Sequence, residues 1–309
     1  MDIFLQQILN GLVLGSIYAL IALGYTMVYG IMGLINFAHG EVVMIGAMVT
    51  ISVLGMLSSA GIDLPGALML ILAMMISVPI CMALGFAIER VAYRPLRNAP
   101  RLAPLITAIG LSIVLQNIAI LIWGRNYISF PPILPHDTID VFGATITSLQ
   151  VVIIVLALII MAGLLIVVEK TKLGRAMRAT SQNPAVAGLM GVNVNNIVSA
   201  TFVIGAGLGA VAGVMVAANY DQAHSHMGFI IGLKAFTAAV LGGIGNLAGA
   251  VVGGILLGII ESLGAGYIGQ LTGGFLGSHY QDIFAFMVLI LVLVFRPSGL
   301  MGERMAERA

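Results

Sequence analysis

Charge is scarce in this chain and cysteine all but absent. Asp, Glu, Lys and Arg together make up 8% of the 309 residues, against 60% hydrophobic ones, and the mean hydropathy is +1.12. A water-soluble domain of that composition would expose large apolar patches, so a soluble protein is excluded. Cys81, the single cysteine, lies in an apolar run; it rules out an intrachain disulfide and a cysteine-based metal site, and reads as a small buried hydrophobe. The only lysines are Lys170, Lys172 and Lys234, and none stands in a Gly-x-x-x-x-Gly-Lys-Ser/Thr loop. The chain therefore cannot hydrolyse ATP by that route. No Ser/His/Asp or Cys/His constellation and no carboxylate pair of defined spacing is present, which argues against a membrane enzyme. The glycine clusters follow no strand, so a dinucleotide fold is not supported. The net charge of +1 leaves no footprint for nucleic acid. No cofactor and no metal is expected; His224 and His226 flank Ser225 beside Asp221, too few ligands for a metal site, and read as a solvated loop.

What the chain has is long apolar runs. Segments with little or no charge span about Ile3 to Tyr29, Ile31 to Met56, Gly66 to Ile88, Leu102 to Trp123, Leu149 to Val168, Ile197 to Asn219, Ile230 to Ile260 and Ile283 to Phe295. About 20 apolar residues cross a bilayer, so the chain reads as one all-α, polytopic transmembrane domain over 1–309. It has eight or nine crossings, with room for interrupted or re-entrant segments. The seventh run is too long for one crossing and breaks near Leu241-Gly242-Gly243-Ile244-Gly245-Asn246, which suggests two antiparallel pieces. The start, Met1-Asp2-Ile3-Phe4, has no basic region and reads as an uncleaved first helix.

Eleven of the thirteen basic residues fall in three places. They are the loop with Arg90, Arg94, Arg97 and Arg101, the loop with Lys170, Lys172, Arg175 and Arg178, and the tail with Arg296, Arg304 and Arg308. The positive-inside rule makes these cytoplasmic. The loops at Asp63-Leu64-Pro65, Arg125 to Ser148 and Asp221 to Met227 then face outward, and nine crossings put the N-terminus outside.

One apolar run carries Asn36, His39 and Glu41 with a helix-loosening Gly40 between them. An ionisable group at the centre of a lipid-facing helix costs about 2.5–3.5 kcal/mol, so these side chains should face other helices, a pore or a membrane surface. Lys234 and Glu261, in or near the seventh run, should snorkel, pair or line a pathway. Gly205, Gly209 and Gly213 recur every four residues, as do Gly245, Gly249 and Gly253, and Gly254 with Gly258. Such stripes bring helix backbones together in lipid. Asn36-Phe37-Ala38 before Val42-Val43 is echoed by Asn246-Leu247-Ala248 before Val251-Val252, one residue out of register. That is compatible with a transporter repeat and equally with chance in so biased a composition. The most distinctive extramembrane stretch is Glu169 to Asn196. There Arg175 and Arg178 lead through Asn183-Pro184 to Ala187, Gly188, Leu189, Met190 and Gly191, which reads as a short helix with one apolar side and a glycine stop. A helix that short needs a docking surface, either the membrane or a cytoplasmic protein.

Four stretches carry a family resemblance: Gly24 to Gly30, Ile35 to Glu41, Thr201 to Ala206 and Lys234 to Gly245, with Ile88 to Pro95 in the first basic loop. Over nearly its full length the chain resembles the LivH family, the permease subunits of bacterial ABC importers for branched-chain amino acids. The resemblance implies a multi-pass protein of the bacterial inner membrane working with a second, LivM-like permease, two cytoplasmic ATPase subunits and a periplasmic amino-acid-binding protein. It assigns the Glu169 to Asn196 loop to ATPase coupling, carried by Arg175, Arg178, Asn183, Pro184, Gly188 and Gly191. Asn36, His39, Glu41 and Asn246 are expected to line or gate the path. Permeases for urea and short amides share the Asn36 to Glu41 stretch, so it marks a superfamily more than a ligand; Tyr25 to Gly30 and Lys234 to Gly245 favour branched-chain or other neutral aliphatic amino acids. The other readings are a stand-alone ion-coupled transporter with Glu41 and Glu261 as coupling carboxylates, and a passive channel.

Overall fold

An apolar run can satisfy its backbone in lipid by bonding within itself, and this chain takes that solution almost throughout. The computed structural model describes residues 2–61, 64–97, 99–100, 102–133, 137–273, 281–296 and 298–302. Asp63, Arg101, Arg304 and Arg308 of the expected loops and tail lie outside them. The elements run in chain order α1 (Asp2–Met32), α2 (His39–Ser59), α3 (Gly66–Ile88), α4 (Leu102–Trp123), β1 (Ile128–Ser129), β2 (Thr138–Val141), β3 (Ala144–Thr147), α5 (Ser148–Lys170), α6 (Lys172–Gln182), α7 (Pro184–Leu189), α8 (Val194–Tyr220), β4 (Gln222–Ala223), α9 (Met227–Gly242), α10 (Leu247–Leu271) and α11 (Gln281–Phe295). A π-helical turn, Glu89–Tyr93, and a 3-10 turn, Arg94–Leu96, continue α3. Among the described residues seven helices are long and apolar enough to cross a membrane, and α9 and α11 are shorter apolar helices. The protein is an all-α, multi-pass membrane protein.

The long seventh run is two helices, as its length suggested. Gly243, at φ +108°, and Gly245, at φ +97°, end α9 and turn the chain into α10, a left-handed backbone that glycine adopts without strain. Gly242 packs on Gly249, and Gly253 on Ala238, so the two helices run antiparallel. Gly245 thus belongs to the turn and not to a packing stripe. The Asn36 interruption likewise falls between helices: α1 continues to Met32, Gly33 at φ +63° stops it, and α2 starts at His39.

The residues group into two compact units, one of 1–26, 136–161 and 234–309, the other of 27–135 and 162–233. In the first, glycines on α10 face glycines on α1. A Cβ on Gly258 would collide with the backbone of Gly15 and Gly11, and one on Gly254 with Ala19. The β2–β3 hairpin pairs Thr138 with Thr147 through Val141 with Ala144. The Gln6 side chain on α1 donates to the Thr145 carbonyl at 2.9 Å and accepts from its amide at 2.8 Å. The chain start and this predicted outward loop therefore share one end of the unit.

In the second unit α2, α3 and α8 pack on one another. On α3 the buried positions are Met69, Ala73, Ser77, Cys81, Gly85 and Ile88, a stripe at helical spacing, while Met75, Ile76 and Ile80 on the other faces are exposed. Gly85 meets Ala206 and Phe202 of α8, Gly46 of α2 meets Ala210, and Gly213 lies against the Val43 carbonyl. The short strands β1 and β4 pair antiparallel, which joins the predicted outward loops at 125–133 and 221–226.

Candidate functional site

The polar segment is built as a helix start inside the second unit. The Asn36 Oδ1 accepts the Ala38 amide at 3.1 Å and the Asn36 carbonyl accepts the His39 amide at 3.0 Å, so one side chain shapes the turn that launches α2. The Tyr93 hydroxyl, itself buried, donates to the same Oδ1 at 2.8 Å. His39 lies over Gly209 near the middle of α8. Glu41 is fully buried; its Oε1 accepts from Ser112 Oγ at 2.8 Å and from Gln116 Nε2 at 2.7 Å, both near the middle of α4. Its Oε2 is buried without a hydrogen-bond partner among the described residues, and faces Gly228 in the first turn of α9, where a side chain would strike it. No ion pair holds the carboxylate among the described residues. Two neutral donors and the positive end of its own helix are its compensation.

Asn36, His39 and Glu41 are thus brought together, facing protein and not lipid. Asn246 belongs to the first unit. There its Oδ1 accepts the Gly249 amide at 2.9 Å, starting α10, and its Nδ2 donates to the Met301 carbonyl at 3.0 Å. The two turns share a glycine at positive φ and, three residues later, an asparagine whose Oδ1 accepts a main-chain amide: Ala38 in the turn before α2, Gly249 in the first turn of α10. Lys234 and Glu261 also sit in the first unit and pair at 2.7 Å; Asp282 of α11 is 2.7 Å from the same ammonium, and the Tyr18 hydroxyl reaches Glu261 at 3.3 Å.

The expected single short helix between Glu169 and Asn196 is two. Thr171 caps α6 through the Gly174 amide, and Asn183 ends it and caps α7, its Oδ1 accepting the Ala185 and Val186 amides, both at 3.1 Å. Pro184 takes the first position of α7 and Gly191, at φ +87°, closes the stretch behind it. Arg178 donates to the Val168 and Glu169 carbonyls, covering the C-terminal end of α5, a placement that suits a cation. Arg175 and Gly188 are exposed. These residues therefore shape the hairpin, and α7 with the residue after it exposes an apolar cluster: Leu189 is 88% exposed, Met190 80% and Val186 51%. In the loop before α9, burial and the neighbouring His226 push the His224 imidazole below the usual histidine range. Its unprotonated Nδ1 accepts the His226 amide at 3.2 Å, and its ring packs on Tyr127.

Sequence reasoning missed the partners. Ser112 and Gln116 are four residues apart on an apolar helix, a spacing that puts both on one face and could have been noticed. Tyr93 gave no signal of its own beyond lying in a basic loop, and Gly228 none.

Among the described residues, seven apolar helices long enough to cross a membrane, with a polar turn in each unit and the hairpin α6–α7 between α5 and α8, are those of a multi-pass membrane protein of the permease class. Residues 7–293 match the family described as branched-chain amino acid transport system, permease component, and the chain belongs to it. It is 46% identical over 310 residues to the high-affinity branched-chain amino acid transport system permease protein BraD of Pseudomonas aeruginosa, covering 99% of this chain and 98% of that one. To the LivH permease of the corresponding system in Escherichia coli K12 it is 45% identical over 309 residues, covering 99% and 97%. A weaker likeness, 31% over 144 residues, joins 45% of it to 42% of the autoinducer 2 import permease LsrC of Photorhabdus laumondii. No solved structure matches the chain.

Proposed function

We propose that the chain is the membrane-spanning subunit of an inner-membrane ABC importer that passes branched-chain or other neutral aliphatic amino acids into the cytoplasm. It does no covalent chemistry and works beside a second permease, with two ATPase subunits driving it and a periplasmic binding protein delivering the substrate. The likeness to BraD and LivH from end to end carries the reading. In this reading the break before α2 and the buried Glu41 gate the path, while α6 and α7 receive the ATPase movement. An exposed cluster of Val186, Leu189 and Met190 on this hairpin supports that docking role.

The decisive test is reconstitution of this chain with the co-expressed partner permease and ATPases. Uptake of radiolabelled leucine, isoleucine or valine should require the binding protein and ATP on the cytoplasmic side. Uptake by the isolated chain driven by an ion gradient, or equal flux in both directions without ATP, sinks the proposal. In the active complex Glu41→Gln should lower uptake about tenfold, the scale of a hydrogen-bonded buried charge, and Asn36→Ala about fivefold, both with the complex still assembled. Normal transport by both variants would make the segment packing alone. Leu189→Glu should cut ATPase co-purification severalfold with the melting temperature of the permease unchanged, because its side chain touches solvent and not the core; unchanged recovery of ATPase would place the docking surface elsewhere.

A further inference from the structure

A continuous set of contacts runs from the cytoplasmic hairpin to the break at Asn36, all within the second unit. It starts at the junction of α7 and α8, where the Val192 amide bonds the Ala187 carbonyl at 3.0 Å and the Asn193 side chain caps α8 through the Asn196 amide at 3.2 Å. Those bonds leave little slack between the two helices, so a displacement of α7 is passed to the first turns of α8. On those turns Asn195 and Ser199, four residues apart, share a face. Asn195 accepts from Arg97, and the Ser199 Oγ donates to Glu89 Oε2 at 2.6 Å. Arg97 and Glu89 form an ion pair, with Glu89 fully buried. One turn further along α8, Phe202 packs on the Tyr93 ring at a centroid distance of 5.3 Å. Tyr93 then donates to Asn36.

The link is unusual in where it lies. Glu89 and Tyr93 are the first and last residues of the π-helical turn, the only one among the described residues. A π turn carries an extra residue in the helical ladder and recurs at functional hinges, because its bonds can pass to the α pattern by a one-residue shift. Such a shift would move Tyr93 relative to Glu89 and so relative to α8. Asn36 Oδ1 is shared between Tyr93 and the Ala38 amide just before α2; withdrawing the hydroxyl removes the bond that fixes the Asn36 side chain to the π turn.

We infer that Tyr93 is a positioning residue that transmits movement of α8 to the turn before α2, so that the cytoplasmic hairpin sets the conformation of the break preceding Glu41. The inference rests on the reading of α6–α7 as the ATPase contact and of the break as the gate, and adds the route between them. Tyr93 touches no substrate in this scheme. It acts only through Asn36, which separates it from a residue that lines the path.

The test is the number of ATP molecules hydrolysed per amino acid imported, measured on the reconstituted complex. Tyr93→Phe keeps the ring on Phe202 and removes only the hydroxyl. Expected is ATP hydrolysis within about twofold of the original complex, an unchanged melting temperature and uptake lowered about fivefold, the scale of one buried hydrogen bond. The ratio of ATP used to substrate moved rises accordingly. Combined with Asn36→Ala, Tyr93→Phe should add no further loss of uptake, since the acceptor is already gone. An unchanged ratio, whether because both rates hold or because both fall together, overturns the relay, as does full additivity of the two substitutions. If the unaltered complex shows no ATP-driven uptake, the permease reading itself fails, an outcome the variants cannot mimic.

Discussion

Gly213→Leu should abolish accumulation of folded protein, while Gly163→Ala and Gly110→Ala leave it intact. Gly213 lies on α8 with the Val43 carbonyl of α2 where its side chain would begin, and the Ala47 amide close behind. Both obstacles are backbone, so no rotamer change relieves the clash and the helices must part. Separation would also break the adjoining contact of Gly46 with Ala210, which depends on the same close approach of α2 and α8. Overpacking in a well-packed core typically costs about 1–3 kcal/mol; a leucine against two main-chain groups exceeds that range and is comparable to the whole stability margin of about 5–15 kcal/mol. Gly163 and Gly110 are helical glycines with nothing within 4 Å of the added atom, where alanine favours the helix by up to about 1 kcal/mol. Yield of monodisperse detergent-extracted protein and its thermal unfolding would read both. Normal yield and melting for Gly213→Leu would show that α2 and α8 do not meet in this way.

The second large effect is expected at Lys234. Its ammonium compensates Glu261, which is fully buried, and Asp282, at 2.7 Å each. Lys234→Met removes the cation, keeps most of the apolar stem, and leaves Glu261 with the neutral Tyr18 hydroxyl at 3.3 Å. Removing one partner of a buried ion pair costs about 3–5 kcal/mol, because the other charge stays behind. The double variant Lys234→Met with Glu261→Gln should recover part of that loss, since the stranded charge has gone too. Melting of the purified protein decides it: a double variant no more stable than Lys234→Met would mean that the lysine contributes by packing and not by charge. The pairing also gives Glu261 a structural task, so its burial needs no ion-coupling role.

Much of this architecture was legible because lipid permits so few solutions. Runs without charge located α3, α4 and α5 to within a residue or two, and the excess length of the seventh run with its glycine cluster located the turn at Gly243 to Asn246. Where spacing alone was used, it overreached. Gly245 falls in step with Gly249 and Gly253, yet it is a turn residue at positive φ, because periodicity does not see where a helix begins. Asn183-Pro184 was read as a helix start, and it is one, but the side chain that starts α7 also closes α6, so one expected helix became two. The cost of burying Glu41 showed that it must avoid lipid, but not what it would face. Ser112, Gln116 and Gly228 come from distant parts of the chain, and only the fold brings them to one carboxylate.

The first unit is drawn from residues 1–26, 136–161 and 234–309, and that discontinuity has a consequence for how the protein is made. The glycines of α1 that receive Gly254 and Gly258 emerge long before α10, the last but one of the described helices. At roughly 5–20 residues per second, some ten to fifty seconds of translation separate them. Throughout that interval the early helix waits in the bilayer with its contact face covered only by lipid or by an insertion factor. Ribosome stalling before α10 should therefore strand a chain whose α1 lacks its glycine contacts with α10, a substrate for membrane quality-control proteases.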